Sequence, residues 1–312
     1  MAAWLYSSLI IYHCCFMKRG SRMKAVVFAL SLLLGAHGSA RAQEGGADER
    51  LARILERAGE GVERYQKGLF RIAFTEVLRN EELRKDMTPK TTKEFVYDSV
   101  VVRENLSEQE DDYYPKTVRR LKTVDGKPAK EPAVTEGFMA NVTALGFLLQ
   151  KSRKLFNFTL DGEESLGGRN AYRIRTQRPG QGEPRAEWEG MRFQVFAPTE
   201  YIFWVDAESF DVLQVETHLI APFEFDSPHV FNAGPLGRFG PTRRLKYARE
   251  DTTIRFRRVQ FKDPEQVLLV PDSAEWLTVI EGAKHPRLRT TLRCADYRRF
   301  RADVKVIEEP EK

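Results

Sequence analysis

Downstream of residue 42 the chain has three histidines, His218, His229 and His285, and their separations make no HxH, HExxH or HxxxH pair. Such pairs are what place two imidazoles on one metal ion. His218 lies in a strand-like stretch and His285 precedes Pro286, so both read as structural or surface residues. The acidic group Glu108, Glu110, Asp111 and Asp112 lacks the spacing and the sixth-position glycine of a calcium loop, and reads as a solvated turn. Glu163 and Glu164 cannot act as a carboxylate pair, because neighbours on a strand point to opposite faces. No GxSxG elbow, phosphate-binding loop or dinucleotide fingerprint occurs, and the Gly-Gly pairs stand at Gly45-Gly46 and Gly167-Gly168. The sequence therefore predicts no catalytic residue, no metal, no cofactor and no enzyme.

The front of the chain reads as an export signal. Lys18, Arg19, Arg22 and Lys24 precede residues 25–34, an uncharged apolar run, and residues 35–42 end in Ala40-Arg41-Ala42. A basic region, a short apolar core and a small-residue cleavage site are the parts of a cleavable signal peptide. The apolar core is too short for a span, which needs about 20 residues. Residues 4–16 form a second short apolar run. Met1, Met17 and Met23 are alternative starts, with a signal anchor as the other reading of this region. The sequence thus divides into 1–42, an upstream extension with a signal that is removed near Ala42, and 43–312, one domain without a stable transmembrane span.

Removing the signal changes the charge. Five of the 50 basic residues and none of the acidic ones lie in 1–42, leaving 45 of each sign in the other 270 residues. A neutral chain lacks the positive footprint of a nucleic-acid binder. Cys14 and Cys15 leave with the signal, and Cys294 alone can form no internal disulfide. Export without disulfides fits a Gram-negative-type periplasm or secretion.

The domain opens with a helix over 47–66, where Leu51, Ile54, Leu55, Ala58, Val62 and Tyr65 share one face. From Leu69 the period shifts to two. Strands are predicted over 69–79, 95–103, 116–124, 155–160, 170–176, 200–205, 210–219, 252–261, 274–279 and 287–294, with Asp125-Gly126 as a hairpin turn. Nine to eleven strands joined by short turns give an α+β, mainly β class, with a large antiparallel sheet. The Arg-rich end (Arg287, Arg289, Arg293, Arg298, Arg299, Arg301) reads either as one solvated strand face or as a site for an acidic partner or lipid headgroup.

Two segments depart from the period. Residues 136–151 read as a short helix with a broad apolar face that includes Phe138, Met139, Leu145, Leu148 and Leu149. Residues 221–241 read as a Pro- and Gly-rich loop that still carries Phe223, Phe225, Phe231 and Phe239. Long loops with exposed phenylalanines cover or bind something. These nine residues and Trp204 are the candidate lid and cavity residues.

The order of elements resembles the LolA/LolB/RseB-type envelope proteins. The segments that carry it are the helix-then-strand opening over 51–79, the stretch LDGEESLGGRNAYRIR over 160–175, and the hairpin YIFWVD (201–206) with DVLQVE (211–216). The resemblance implies a periplasmic open half-barrel, a curved antiparallel sheet wrapping one or two helices. It also implies a non-enzymatic role, holding a lipid, a lipoprotein acyl chain or an apolar peptide in the concave face. No lipobox cysteine follows the signal, which argues against a LolB-like anchored form. The residues leave three readings open: a carrier or sensor for a hydrophobic ligand, a scaffold or adaptor binding another envelope protein through a sheet edge or the Arg-rich strand, and a hydrolase with an unrecognised site.

Overall fold

The computed structural model describes residues 40–105, 113–131, 133–137, 143–179, 182–189, 192–230, 239–262 and 265–299. Its first element is helix α1 (Ala40–Gly68). The apolar face read from the sequence is the buried one: Ile54, Leu55, Ala58, Val62 and Tyr65 all enter the main core. The helix stops where Arg71 takes a left-handed conformation (φ 64°), which turns the chain into the sheet.

The strands are β1 (Ile72–Leu83), β2 (Pro89–Asn105), β3 (Tyr113–Val124), β4 (Lys127–Pro128) and β5 (Val134–Gly137). After a 3-10 helix over Thr143–Leu148 and a helical turn α2 (Gln150–Arg153) come β6 (Asn157–Leu166), β7 (Arg169–Gln177), β8 (Arg185–Glu189), β9 (Arg192–Phe196) and β10 (Thr199–Asp206). The last five are β11 (Val212–Leu219), β12 (Phe223–Val230), β13 (Phe239–Lys262), β14 (Glu265–Glu281) and β15 (Arg287–Arg299). Thirteen of them form one antiparallel sheet in the order β4-β3-β2-β1-β15-β14-β13-β11-β10-β7-β6. In it β5 also pairs with β3, and β12 with β13. The end strands β4 and β6 do not meet, so the sheet stays open. Register shifts in β1, β6, β10, β13 and β14 bend it, as extra residues in a ladder do. Among the described residues no helix is long and apolar enough to cross a membrane.

The inner face of this sheet holds the main core. Phe74, Tyr97, Phe203, Val215, Val270 and Leu292 meet α1 and the 3-10 helix there. A second apolar cluster continues the same face: Phe223 and Phe225 of β12 and Tyr247 of β13 lie under the separate β8–β9 hairpin through Val195 and Ala197. A third, small cluster of Ala171, Ile202 and Trp204 is on the outer face. Residues 202 and 204 alternate with the core residues 201, 203 and 205, so they must point the other way.

Three expectations about elements change. Residues 221–241 are not an irregular loop: 223–230 form β12, paired from Phe223↔Tyr247 to Val230↔Phe239. Pro222, Pro228 and the glycines hide a period of two that Phe223 and Phe225 keep. Residues 136–151 are not one helix. Glu136 and Gly137 end β5, and Leu149 is extended (φ −67°, ψ 141°), which separates the 3-10 helix from α2. The gap between the strands predicted over 155–160 and 170–176 is mostly strand: β6 runs on through 161–166, and the turn is Gly167-Gly168, both at positive φ as a two-residue hairpin requires. Fifteen strands are described where nine to eleven were expected, because β4, β5, β8 and β9 are too short to show a period.

Gly59 marks where α1 crosses the 3-10 helix. A Cβ there would stand 2.7 Å from the Leu148 carbonyl oxygen. Ala is the better helix former by about 1 kcal/mol. The clash is with backbone, and overpacking costs about 1–3 kcal/mol. Gly59→Ala is therefore expected to lower the melting temperature against its propensity, whereas Gly146→Ala, whose Cβ meets nothing within 4 Å, leaves it nearly unchanged.

Candidate ligand-binding face

The inner face of β1–β3 is built from alternate residues in rows. One row runs Cys294, Glu76, Tyr97, Leu121 across β15, β1, β2 and β3. The next runs Phe74, Ser99, Arg119, Thr135 from β1 to β5. Phe95 and Val124 extend the apolar lining on one side, and Val101 with Thr117 on the other. Phe95 stacks near Tyr97, and Phe74 on Tyr297. These residues share the main core with α1, which also reaches other strands. Arg50 meets Glu163 and Tyr172, Arg57 lies over Phe210, and Tyr65 meets Phe256 edge-on.

Glu76 is the anomaly of this lining. It is 0 % exposed, between Phe74 and Leu78 on the core face. Neither carboxyl oxygen accepts a hydrogen bond of ordinary geometry. A guanidinium nitrogen of Arg119 is 3.6 Å from Oε2, while the Arg119 Nε donates to Thr135 Oγ1 at 3.1 Å and its head lies 4.5 Å from the Tyr97 ring centre. Burial pushes the Glu76 pKa up, and the nearby Arg119 and Ser99 only partly offset it. Ser99 Oγ and the Tyr65 hydroxyl are also buried without a hydrogen-bond partner. Burial raises the Cys294 thiol well above its ordinary value.

The residues singled out from the sequence do not form one site. Leu145 and Leu148 are in the main core, with Leu149 packed against it. Phe223 and Phe225 form the second cluster, where Phe223 stacks on Tyr247 at 5.4 Å. Trp204 is on the outer face. The backbone of Phe239 pairs with Val230, and Phe138, Met139 and Phe231 lie outside the described residues. The sequence reading missed Glu76, Ser99 and Arg119. The pattern Phe74-x-Glu76-x-Leu78 was the available signal, since a period of two sets the carboxyl among core residues.

On the outer face, His218 sits between two carboxylates, Nδ1 at 2.9 Å from Asp251 and Nε2 at 3.3 Å from Glu216. Trp204 Nε1 and Gln214 Nε2 both donate to Glu216, and Arg249 pairs with Asp251. Burial opposes the imidazolium, but the two acidic partners outweigh it and raise the His218 pKa above 6.5. The arginines of β15 divide: Arg289 pairs with the buried Glu81, while Arg299 donates to the Gly68 carbonyl. Among the described residues no group of three His, Cys, Asp or Glu is arranged to hold a metal ion.

No family model matches the chain, and no curated protein matches it. Solved structures similar to it include a domain described as an outer membrane lipoprotein-sorting protein from Vibrio parahaemolyticus, at 12 % identity and a TM-score of 0.35. A LolA superfamily protein from Nitrosomonas europaea is 11 % identical with a TM-score of 0.32. Each comparison covers 81 % of this chain and 94 % of the other. The MucA/MucB complex of Pseudomonas aeruginosa is 10 % identical over 78 % of this chain and 99 % of that one, with a TM-score of 0.22.

Two pH effects follow. An acid with a raised folded-state pKa binds its proton more tightly when folded, so Glu76 favours folding below 4.5 and loses that contribution as pH rises through its folded value. Glu76→Gln, always neutral, is expected to match or exceed the parent in melting temperature at pH 7–8. Had Glu76 been an ionised partner of Arg119, the loss would be about 3–5 kcal/mol. A base with a raised pKa gives the second effect: the His218 contribution is complete below 6.5 and fades as pH rises through its folded value. Melting temperatures of His218→Gln and the parent should therefore converge at alkaline pH.

Proposed function

We propose that this chain is an exported, non-enzymatic binding protein, and that the inner face of its open sheet takes the apolar part of a lipid or acyl chain. The observation that carries this reading is the composition of the β1–β3 face. Phe95, Tyr97, Val101, Leu121 and Val124 line it, with a polar group of Glu76, Ser99 and Arg119 among them. Folded proteins pair nearly all buried polar groups. A core serving stability alone would gain from apolar residues at 76 and 99. An apolar lining with a few placed polar groups is how small-molecule sites are made. The signal-like residues 23–42 support export, and a bacterial envelope is the compartment proposed.

Native mass spectrometry of the protein purified without detergent tests the reading. The expected result is an adduct, released on unfolding, that organic extraction identifies as lipid. A ligand-free mass that persists after incubation with envelope lipids would remove the carrier reading and leave a protein partner as the account.

A further inference from the structure

We infer that the outer edge of β6 pairs with β6 of a second copy of this chain, antiparallel across a two-fold axis. The inference is independent of what the concave face holds.

The two ends of the sheet are finished differently. At one end β3 is followed by the two residues of β4, the second of them Pro128, and by the four residues of β5. Short strands and proline are how a sheet edge is closed to further pairing. At the other end β6 has 10 residues with no proline and no lysine, and among the described residues it pairs only with β7. The second half of β6 is protected: the ladder is irregular between Leu160 and Gly162, Asp161 pairs with Arg173 and Arg175, and Glu163 pairs with Arg50. The first half has no such device.

That first half lies in LFNFTL (155–160), six residues without a charge, a proline or a glycine. Such segments pair readily when they stand at an edge. Leu155 is 45 % exposed, and Phe158 and Leu160 are half-buried against the main core. Phe156 stacks on Phe147 at 4.1 Å and lies 6.3 Å from Phe158, so the apolar surface reaches the edge itself. Backbone donors and acceptors along an open edge are matched by another strand, not by a lipid.

Charge selects which strand. Lys151, Arg153 and Lys154 precede the uncharged run, and Asp161, Glu163 and Glu164 follow it. Lys151, Lys154 and Glu164 are exposed and form no ion pair among the described residues. An antiparallel copy brings its acidic end beside the basic end of the first, and the two-fold axis repeats the match, as an isologous interface requires. A two-fold axis through the sheet also keeps like faces together. Phe158 and Leu160 of one copy then run beside Phe158 and Leu160 of the other, while Thr159, exposed on the opposite face, comes close to its own copy.

Sedimentation equilibrium of the purified protein tests this. The expected result is a monomer–dimer equilibrium that weakens as salt screens the charged ends. Thr159→Lys, at an exposed position the fold does not need, should keep the parent melting temperature and weaken dimerisation at least about tenfold, because it sets like charges near the axis. Lys154→Glu and Glu164→Lys should each weaken it several-fold, and an equimolar mixture of the two should recover it, since each copy then meets its opposite. A dimer indifferent to Thr159→Lys, or no recovery in the mixture, would overturn the antiparallel arrangement. A parent that stays monomeric would overturn the second copy as occupant and leave the edge to an extended segment of another protein.

Discussion

An open sheet of thirteen strands must cover one apolar face with very little helix, and the rest of the structure follows from that constraint. A single long helix and a 3-10 turn are the cover over the main core. The helix can seat closely only because Gly59 lets its backbone approach the Leu148 carbonyl and Gly61 approaches that of Phe210. Farther along the same face the cover is a two-stranded hairpin, so the core divides into two apolar clusters. β13 contributes buried residues to both, Phe256 to one and Tyr247 to the other. It pairs with β11 through Asp251↔His218, then with β12 from Tyr247↔Phe223. A register shift between Tyr247 and Arg249 lies at this exchange of neighbours and keeps the apolar residues of both parts facing inward.

The inner and outer faces treat buried charge differently. On the outer face Glu81 is nearly inaccessible, yet it accepts hydrogen bonds from Arg289 and is flanked by Arg79. Asp206 is equally buried and is held ionised: against the effect of burial, the Ser209 amide and hydroxyl and the Arg169 guanidinium lower its pKa. Both behave as buried carboxylates do when fixed for stability. Glu76 on the inner face has only Ser99 and a longer contact to Arg119, too little to offset its burial, and its pKa is raised. That contrast within one sheet is what separates the polar group of β1–β3 from ordinary structural ion pairs.

Much of this was legible in residue order. Helix α1 announced itself through six apolar positions on one face, and Asp125-Gly126 and the 206–211 turn fixed hairpins at their own positions. Turn residues also misled. Pro222 and Pro228 made β12 look like a loop, although among the described residues β12 pairs only with β13, and proline is tolerated where a strand lacks a second neighbour. The division of 136–151 was invisible because 3-10 and α-helical turns share nearly the same apolar spacing. The polar group was hidden for another reason. Glu76, Ser99 and Arg119 are each ordinary in a strand sequence, and only the pairing of three strands makes them neighbours.

The ladder between β1 and β15 joins the first strand of the sheet to its last, through register pairs from Ile72↔Arg299 to Glu82↔Leu288. Its contacts join residues far apart in the chain, 210 positions in the case of Asn80 and Thr290. Closing so long a loop is entropically slow, and topologies dominated by such pairs fold slowly. A chain emerging from its amino terminus presents β1 long before β15 exists, so until the last strand arrives β1 has a bare backbone edge. Such edges invite pairing with other chains. Assembly of this sheet therefore waits for its last strand. During that interval the unpaired strand is exposed to whatever binds extended apolar chain in its compartment.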